Sequence, residues 1–240
     1  MILNHPDRLF PSDTLSRGLA RELFETVEGI PIISPHGHCD PSWFSENKRF
    51  PDPAQLFVVP DHYVLRMLVS QGLTLSELGV NSTDGSNFEK DPKEIWKKFS
   101  ENYYLFRGTP TAMWLDYSFE NVFGIKVPLT PATSDFCYSQ IEEKLSQPQY
   151  LPQALFDSFN IEVLSTTDSA ISNLSQHNDL KNSTWDGRII PTYRPDSVVD
   201  PESIDFKNNL VKLGELANED TNSWDGYLKA HRSRRLFFKE

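Results

Sequence analysis

Residues 29–41 read GIPIISPHGHCDP. The β-branched run up to Ser34 stops at Pro35, a pattern typical of a short buried strand. His36 and His38 follow that strand directly, and side chains two residues apart on an extended backbone point to the same side. The two imidazoles can therefore share one divalent cation. A pair of ordinary surface or core histidines is the alternative.

Two later segments have the same strand character, residues 161–165 (IEVLS) and 188–193 (RIIPTY). Each is followed by a helical pattern, the first beginning at Asp168, so they are interpreted as βα units in tandem with parallel strands. Barrel enzymes keep their sites at the carboxyl ends of such strands. This position favours a metal site at the two histidines, between which Gly37 leaves room for a ligand to come close.

Helical patterns dominate between the first and second predicted strands. Ordinary βα connections are only about 2–6 residues long, so residues 41–159 are interpreted as a helical insertion. The remaining segments, 1–40 and 160–240, are predicted to form the βα part. Apolar spacing and helix-ending glycines predict helices over 12–28, 61–71, 92–105, 109–123 and 134–145, and again from residue 200 onward.

These elements predict an α/β fold, specifically a TIM-type (β/α)8 barrel with a large helical insertion after the first strand. Three strand candidates are present, whereas such a barrel needs eight strands. We therefore expect the chain to be the N-terminal part of a barrel that lacks its C-terminal half. We also expect it to have little or no catalytic activity alone.

Composition excludes several classes of function. Lys and Arg number 23 against 34 Asp and Glu, and a net charge of -11 leaves no basic stripe for a nucleic acid. No segment has the apolar length of a signal peptide core or a membrane span, which favours a soluble cytoplasmic protein without a membrane partner. Cys39 and Cys137 are too far apart for a disulfide framework or a thiolate zinc cage.

Several sequence blocks point to one family. The histidine pair after a strand resembles the first metal-binding motif of the amidohydrolase superfamily. The block from Phe50 to Gly72, with Asp-His-Tyr at 61–63, together with Phe-Gly-Ile at 123–125, is similar to the uronate isomerase family. Leu-Ser-Thr-Thr-Asp at 164–168 and Ile-Pro-Thr-Tyr-Arg-Pro-Asp at 190–196 extend the similarity in the family's order.

One block departs from the family's pattern. Many members have Trp-Thr-His-Leu-Glu where this chain has Trp-Leu-Asp-Tyr-Ser at 114–118. The chain therefore resembles the N-terminal portion of a divergent branch.

The resemblance implies a reaction and a set of residue roles. Members interconvert aldose and ketose forms of a hexuronate, D-glucuronate with D-fructuronate and D-galacturonate with D-tagaturonate, in carbohydrate metabolism. His36 and His38 would bind a divalent metal, zinc or alternatively manganese, and His36 would also handle a proton. Tyr63 would donate a hydrogen bond to the enediolate, Arg194 would bind the substrate carboxylate, and His62 would contact the substrate. The partner is a small sugar acid, and homo-oligomerisation stays open.

Each of these residues also has a structural interpretation. Tyr63 lies in an amphipathic helix, where tyrosine is commonly a core residue, and His62 could cap that helix through its ring. Arg194 begins Arg-Pro-Asp, a common turn sequence. Asp168 and Asp40 are expected mainly to cap helices. His5, His177 and His231 are expected to be structural or exposed.

Two other functions compete with isomerisation. A barrel with a His-x-His pair can equally activate water, which makes a metal-dependent amidohydrolase-type hydrolase the alternative. The Asp-His-Tyr block at 61–63 favours the isomerase, because a hydrolase has no evident need for it. The third interpretation is an inactive fragment or an interaction module.

Overall fold

The computed structural model describes residues 3–239. It separates into two compact units. The helical unit contains the residues up to Gly29 and Arg49–Leu151, and the sheet unit contains Ile30–Lys48 and the residues from Pro152 onward. The first helix thus groups with the helices of the predicted insertion. The assignment of 41–159 as an insertion into a barrel stays a prediction.

The secondary structure is mostly helical. The strands are β1 Ile32–Ser34, β2 Ile161–Ser169 and β3 Arg188–Arg194. The α-helices are α1 Thr14–Glu25, α2 Pro41–Glu46, α3 Pro53–Phe57, α4 His62–Val69, α5 Pro92–Glu101, α6 Pro110–Tyr117, α7 Ser134–Leu145, α8 Pro152–Ser158, α9 Ser175–Lys181, α10 Asp196–Val199, α11 Phe206–Ala217 and α12 Trp224–Phe237. No helix in the described part of the chain is long and apolar enough to cross a membrane.

The helices predicted between residues 61 and 145 are confirmed. The Asp61 carboxylate caps α4 by accepting hydrogen bonds from the backbone N–H groups of Tyr63 and Val64, and Gly72 follows the helix with a φ of 96°. A π-helical turn at Ser118–Val122 continues α6, which accounts for the longer helix that the spacing predicted. No strand interrupts these helices in the described residues of the helical unit.

An aromatic core holds the helical unit together. Trp96 and Phe99 of α5 are buried against Phe106 and Phe119, with ring centroids of Trp96 and Phe119 6.1 Å apart. The Trp96 indole N–H donates a 3.1 Å hydrogen bond to the Ser134 carbonyl, so the one polar atom of this side chain is satisfied inside the core. Burial of these four large rings stabilises the unit through the hydrophobic effect.

The sheet is parallel, as predicted, and has the order β1-β2-β3. Ile32 pairs with Ile161 and Ser34 with Leu164, whereas the β2–β3 pairing extends as far as Ser169 opposite Arg194. The three strands run in the same direction, so their carboxyl ends lie at one edge of the sheet. We call this edge the carboxyl edge.

The prediction that the first strand is buried is wrong. Only Ile32–Ser34 is extended, and the side chains of Ile32 and Ile33 are 50% and 63% exposed. Among the described residues β1 pairs only with β2, so it is an edge strand. Its β-branched composition fixed the extended backbone, but burial depends on neighbours that composition does not reveal.

The predicted helix start at Asp168 is also wrong. Strand β2 continues to Ser169, and the next helix begins at Ser175. The reason is pairing: each residue from Val163 to Ser169 has a partner on β3, and this ladder outweighs the local tendency of Asp to cap a helix.

Two apolar clusters join the sheet to its helices. The first contains Phe44 of α2, Phe156 of α8 and Leu180 of α9 packed on Leu164 and Ile189 of the sheet. The second lies beyond the carboxyl ends of β2 and β3 and consists of Ala170, Val198, Leu213 and Ala230. Helices α11 and α12 are therefore anchored beside the carboxyl edge.

Candidate active site

His36 and His38 come together directly after β1. Their Nε2 atoms are 2.9 Å apart, their ring planes cross at 68°, and both side chains are exposed. Zinc binds imidazole nitrogen at about 2.0–2.1 Å, so two nitrogens on one tetrahedral ion lie about 3.3 Å apart. A small rotation of either ring provides that spacing. At 2.9 Å the two nitrogens are within hydrogen-bond distance of each other, so the rings would have to rotate before both could bind one divalent metal.

The described residues supply only part of a metal site. Within residues 3–239 no group of three His, Cys, Asp or Glu side chains could hold a metal ion. Cys39 packs against the first apolar cluster, where burial raises the pKa of its thiol and disfavours the thiolate that binds metals. The Asp40 carboxylate accepts a hydrogen bond from the Ser42 N–H and caps α2, as expected.

Gly37 is needed because the backbone of β2 leaves no space for a side chain at this position. A Cβ atom built on Gly37 would lie 2.8 Å from the carbonyl oxygen of Ser165, closer than real Cβ contacts. The expectation that this glycine makes room for a ligand therefore needs correction, because the space is occupied by β2. Close approach to β2 fixes the loop that carries both histidines.

Arg194 is the last residue of β3 and lies at the carboxyl edge. Its Nε–H donates a 2.8 Å hydrogen bond to Asp196, so the turn interpretation of Arg-Pro-Asp is consistent with the structure. The side chain is 50% exposed, and in the described residues its Nη groups have no hydrogen-bond partner. Those groups can bind a ligand carboxylate. No hydrogen bond within residues 3–239 joins Arg194 to the histidine pair.

His62 and Tyr63 lie on α4, in the helical unit. His62 does not cap this helix through its ring, since the Asp61 carboxylate does so. Tyr63 is 51% exposed, so it is not a core residue. Its ring lies 4.2 Å from that of His62 and beneath the Arg66 guanidinium at 5.2 Å. Convergence of these two residues with the histidine pair and Arg194 stays a prediction.

Sequence reasoning missed a buried polar cluster formed by Thr166, Asp168 and His177. The Thr166 hydroxyl donates to Asp168 at 2.6 Å, and its oxygen lies 2.8 Å from His177 Nε2. A carboxylate only accepts, so the single hydroxyl proton goes to Asp168 and His177 Nε2–H donates to the hydroxyl oxygen. Burial lowers the pKa of His177, although the Asp168 charge partly opposes this. The signal was the two-residue spacing of Thr166 and Asp168, which places them on one face of β2.

Thr166→Val is expected to lower the free energy of unfolding by about 1–3 kcal/mol, because it leaves His177 and Asp168 buried without their shared partner. The change conserves shape and removes only the hydroxyl. Urea unfolding followed by circular dichroism measures it. Thr167→Val is the matched control on the other face of the strand, with an expected change within about 0.5 kcal/mol. Equal stability of the two variants would contradict the assigned hydrogen bonds.

Comparison with known proteins gives a consistent result. A protein-family profile described as glucuronate isomerase matches residues 10–240. The chain is 53% identical over 235 residues to a uronate isomerase of Rhizobium meliloti, covering 98% of this chain and 50% of that protein. It is 52% identical over 237 residues to a uronate isomerase of Mesorhizobium japonicum, covering 99% and 50%.

Solved structures agree with the sequence comparisons. The crystal structure of glucuronate isomerase from Caulobacter crescentus superposes with a TM-score of 0.93 at 44% identity, covering 99% of this chain and 50% of that one. The uronate isomerase structure from Thermotoga maritima gives 0.84 at 30% identity, covering 98% and 49%. The chain spans about half the length of the curated relatives that it matches. By sequence and by structure, this chain belongs to the glucuronate isomerase family.

Proposed function

We propose that the protein containing this chain interconverts the aldose and ketose forms of a hexuronate, D-glucuronate with D-fructuronate or D-galacturonate with D-tagaturonate. The observation that carries the proposal is the convergence of the His36 and His38 Nε2 atoms, 2.9 Å apart, after β1. The identity of about half the residues to proteins named uronate isomerase supports the same reaction. These relatives give no support to hydrolysis.

The reaction moves two protons and needs no external oxidant. The C2–H bond breaks and a C1–H bond forms, while the proton on the C2 oxygen passes to the C1 oxygen. Negative charge develops on these oxygens in the enediolate. A catalyst must therefore hold the substrate, donate hydrogen bonds to the oxygens, and accept and return a proton.

The proposed residue roles follow from these needs. His36 and His38 hold a divalent cation, zinc by the donor type or alternatively manganese, and His36 also handles a proton. When bound, the metal polarises the sugar oxygens as a Lewis acid. The exposed phenol of Tyr63 donates to the enediolate, and His62 contacts the sugar. The Nη groups of Arg194 bind the substrate carboxylate through two parallel hydrogen bonds.

We further propose that the parallel sheet is the beginning of a (β/α)8 barrel of the amidohydrolase type. Parallel sheets are normally covered on both faces, and Ile32 and Ile33 of β1 are exposed. Within residues 3–239, β3 pairs with β2 only, and a groove of about 740 Å³ lined by Trp185, Ile190 and Phe237 lies beside it. Polypeptide matching the rest of the relatives' length would supply the next strand. The protein is also proposed to be cytoplasmic, and whether it forms a homo-oligomer stays open.

The proposal is tested by incubating the metal-loaded protein that contains this chain with D-glucuronate and D-galacturonate and measuring ketose formation. Tyr63→Phe removes only the phenolic hydroxyl, so turnover is expected to fall on the order of 10²-fold with little change in KM. Tyr104→Phe is the matched control, as another exposed tyrosine of the helical unit. Unchanged turnover in Tyr63→Phe would remove this residue from the mechanism.

A further inference from the structure

Arg234 of α12 is a buried cation whose hydrogen bonds go to backbone carbonyl groups. Its side chain is almost fully buried, and its Nε–H donates a 3.0 Å hydrogen bond to the Ala170 carbonyl. An Nη2–H donates a short hydrogen bond to the Ser172 carbonyl. In the described residues no carboxylate forms an ion pair with Arg234. The guanidinium therefore ties α12 to the segment after β2.

A buried arginine costs more folding free energy than an apolar side chain that fills the same space. Burial lowers the pKa of Arg234, which reflects the cost of keeping its charge away from water. Its guanidinium carbon lies 4.1 Å from the centroid of the Phe237 ring, and this cation–π contact offsets part of that cost. A methionine would fill the same space without a buried charge. The directed N–H groups are the property that only arginine supplies here.

The segment that Arg234 holds is adjacent to Arg194. The Ala170 N–H donates a 2.9 Å hydrogen bond to the Arg194 carbonyl, and the Ala170 carbonyl accepts from Arg234, so a single residue connects Arg234 to the end of β3. The segment ends at Leu174, a buried residue with a φ of 53°. That left-handed conformation costs about 1–2 kcal/mol for a residue with a side chain. Contacts from other parts of the protein must offset this cost and hold the segment after β2 in place.

We propose that Arg234 is a positioning residue that fixes the carboxyl ends of β2 and β3 and, through the backbone C=O and N–H of Ala170, orients Arg194 toward the substrate carboxylate. The inference rests on the proposed function for its catalytic consequence. The link from Arg234 through Ala170 to Arg194 is physical and can be tested without substrate.

Hydrogen–deuterium exchange of the full chain tests the link. Arg234→Lys keeps the charge, but a single ammonium cannot reproduce the two directed bonds of the guanidinium fork. We expect exchange in peptides covering 169–174 and 194–197 to rise by about tenfold or more. Arg232→Lys is the matched control, an exposed arginine on the same helix, and should leave both peptides unchanged. Unchanged exchange in Arg234→Lys would overturn the proposal.

A double-mutant cycle on KM for D-glucuronate tests the catalytic consequence. Arg234→Lys is expected to raise KM by about tenfold, and by less than about twofold in an Arg194→Met background, because the two residues act as one unit. A purely structural role would give equal effects in both backgrounds and would overturn the proposal. If the unmodified protein isomerises no hexuronate, the proposed function fails, and the exchange result alone decides the link.

Discussion

Replacing His36 and His38 together by alanine is expected to abolish metal binding and to lower hexuronate isomerisation on the order of 10³-fold or more. The two Nε2 atoms lie 2.9 Å apart, so the double replacement removes both imidazole donors, and within residues 3–239 no group of three His, Cys, Asp or Glu side chains could hold a metal ion instead. Metal content is measured by mass spectrometry after dialysis, and turnover by ketose formation.

His5→Ala provides the control for this experiment, because His5 is an exposed histidine whose ring accepts a local hydrogen bond from the Asp7 N–H. It should keep full metal content and turnover. A His36→Ala, His38→Ala double variant with wild-type metal content and turnover would exclude the pair from the site.

Gly37→Ala is expected to weaken metal affinity by about 10- to 100-fold without changing any donor atom. The new Cβ would lie 2.8 Å from the Ser165 carbonyl oxygen, and backbone atoms on a paired strand cannot withdraw cheaply. The loop must shift or distort at Gly37 to relieve this contact, which changes the backbone that spaces the two rings. Isothermal titration calorimetry with zinc measures the affinity.

Gly29→Ala is the matched control for that change, since a Cβ built on Gly29 meets nothing within 4 Å. Its zinc affinity should equal that of the unmodified protein. Equal affinity in Gly37→Ala would mean that the histidine loop does not depend on contact with β2.

Local sequence patterns predicted much of the fold. The helix over 61–71 was predictable because its cap, its apolar spacing and its terminating glycine are all local. The parallel strands were predictable from β-branched runs separated by helices. Burial of β1 was not, because it depends on which elements cover the sheet.

The polar contacts near the carboxyl edge were less predictable. Arg234 and Ala170 are 64 positions apart, and Tyr193 and His231, joined by a 2.6 Å hydrogen bond, are 38 apart. No local pattern connects such residues, because the contacts arise only when α12 packs beside the sheet. The His36–His38 pair was predictable for the opposite reason, since two residues of one short loop directly after β1 suffice to build it.

We propose above all that this chain supplies the histidine pair of a hexuronate isomerase. A chimera in which it replaces the matching half of the Rhizobium meliloti uronate isomerase tests this most directly, since the two are 53% identical over 235 residues. We expect a folded, metal-dependent chimera that converts D-glucuronate to D-fructuronate and loses this activity when His36 and His38 are replaced by alanine. A chimera whose turnover survives that double replacement would contradict it.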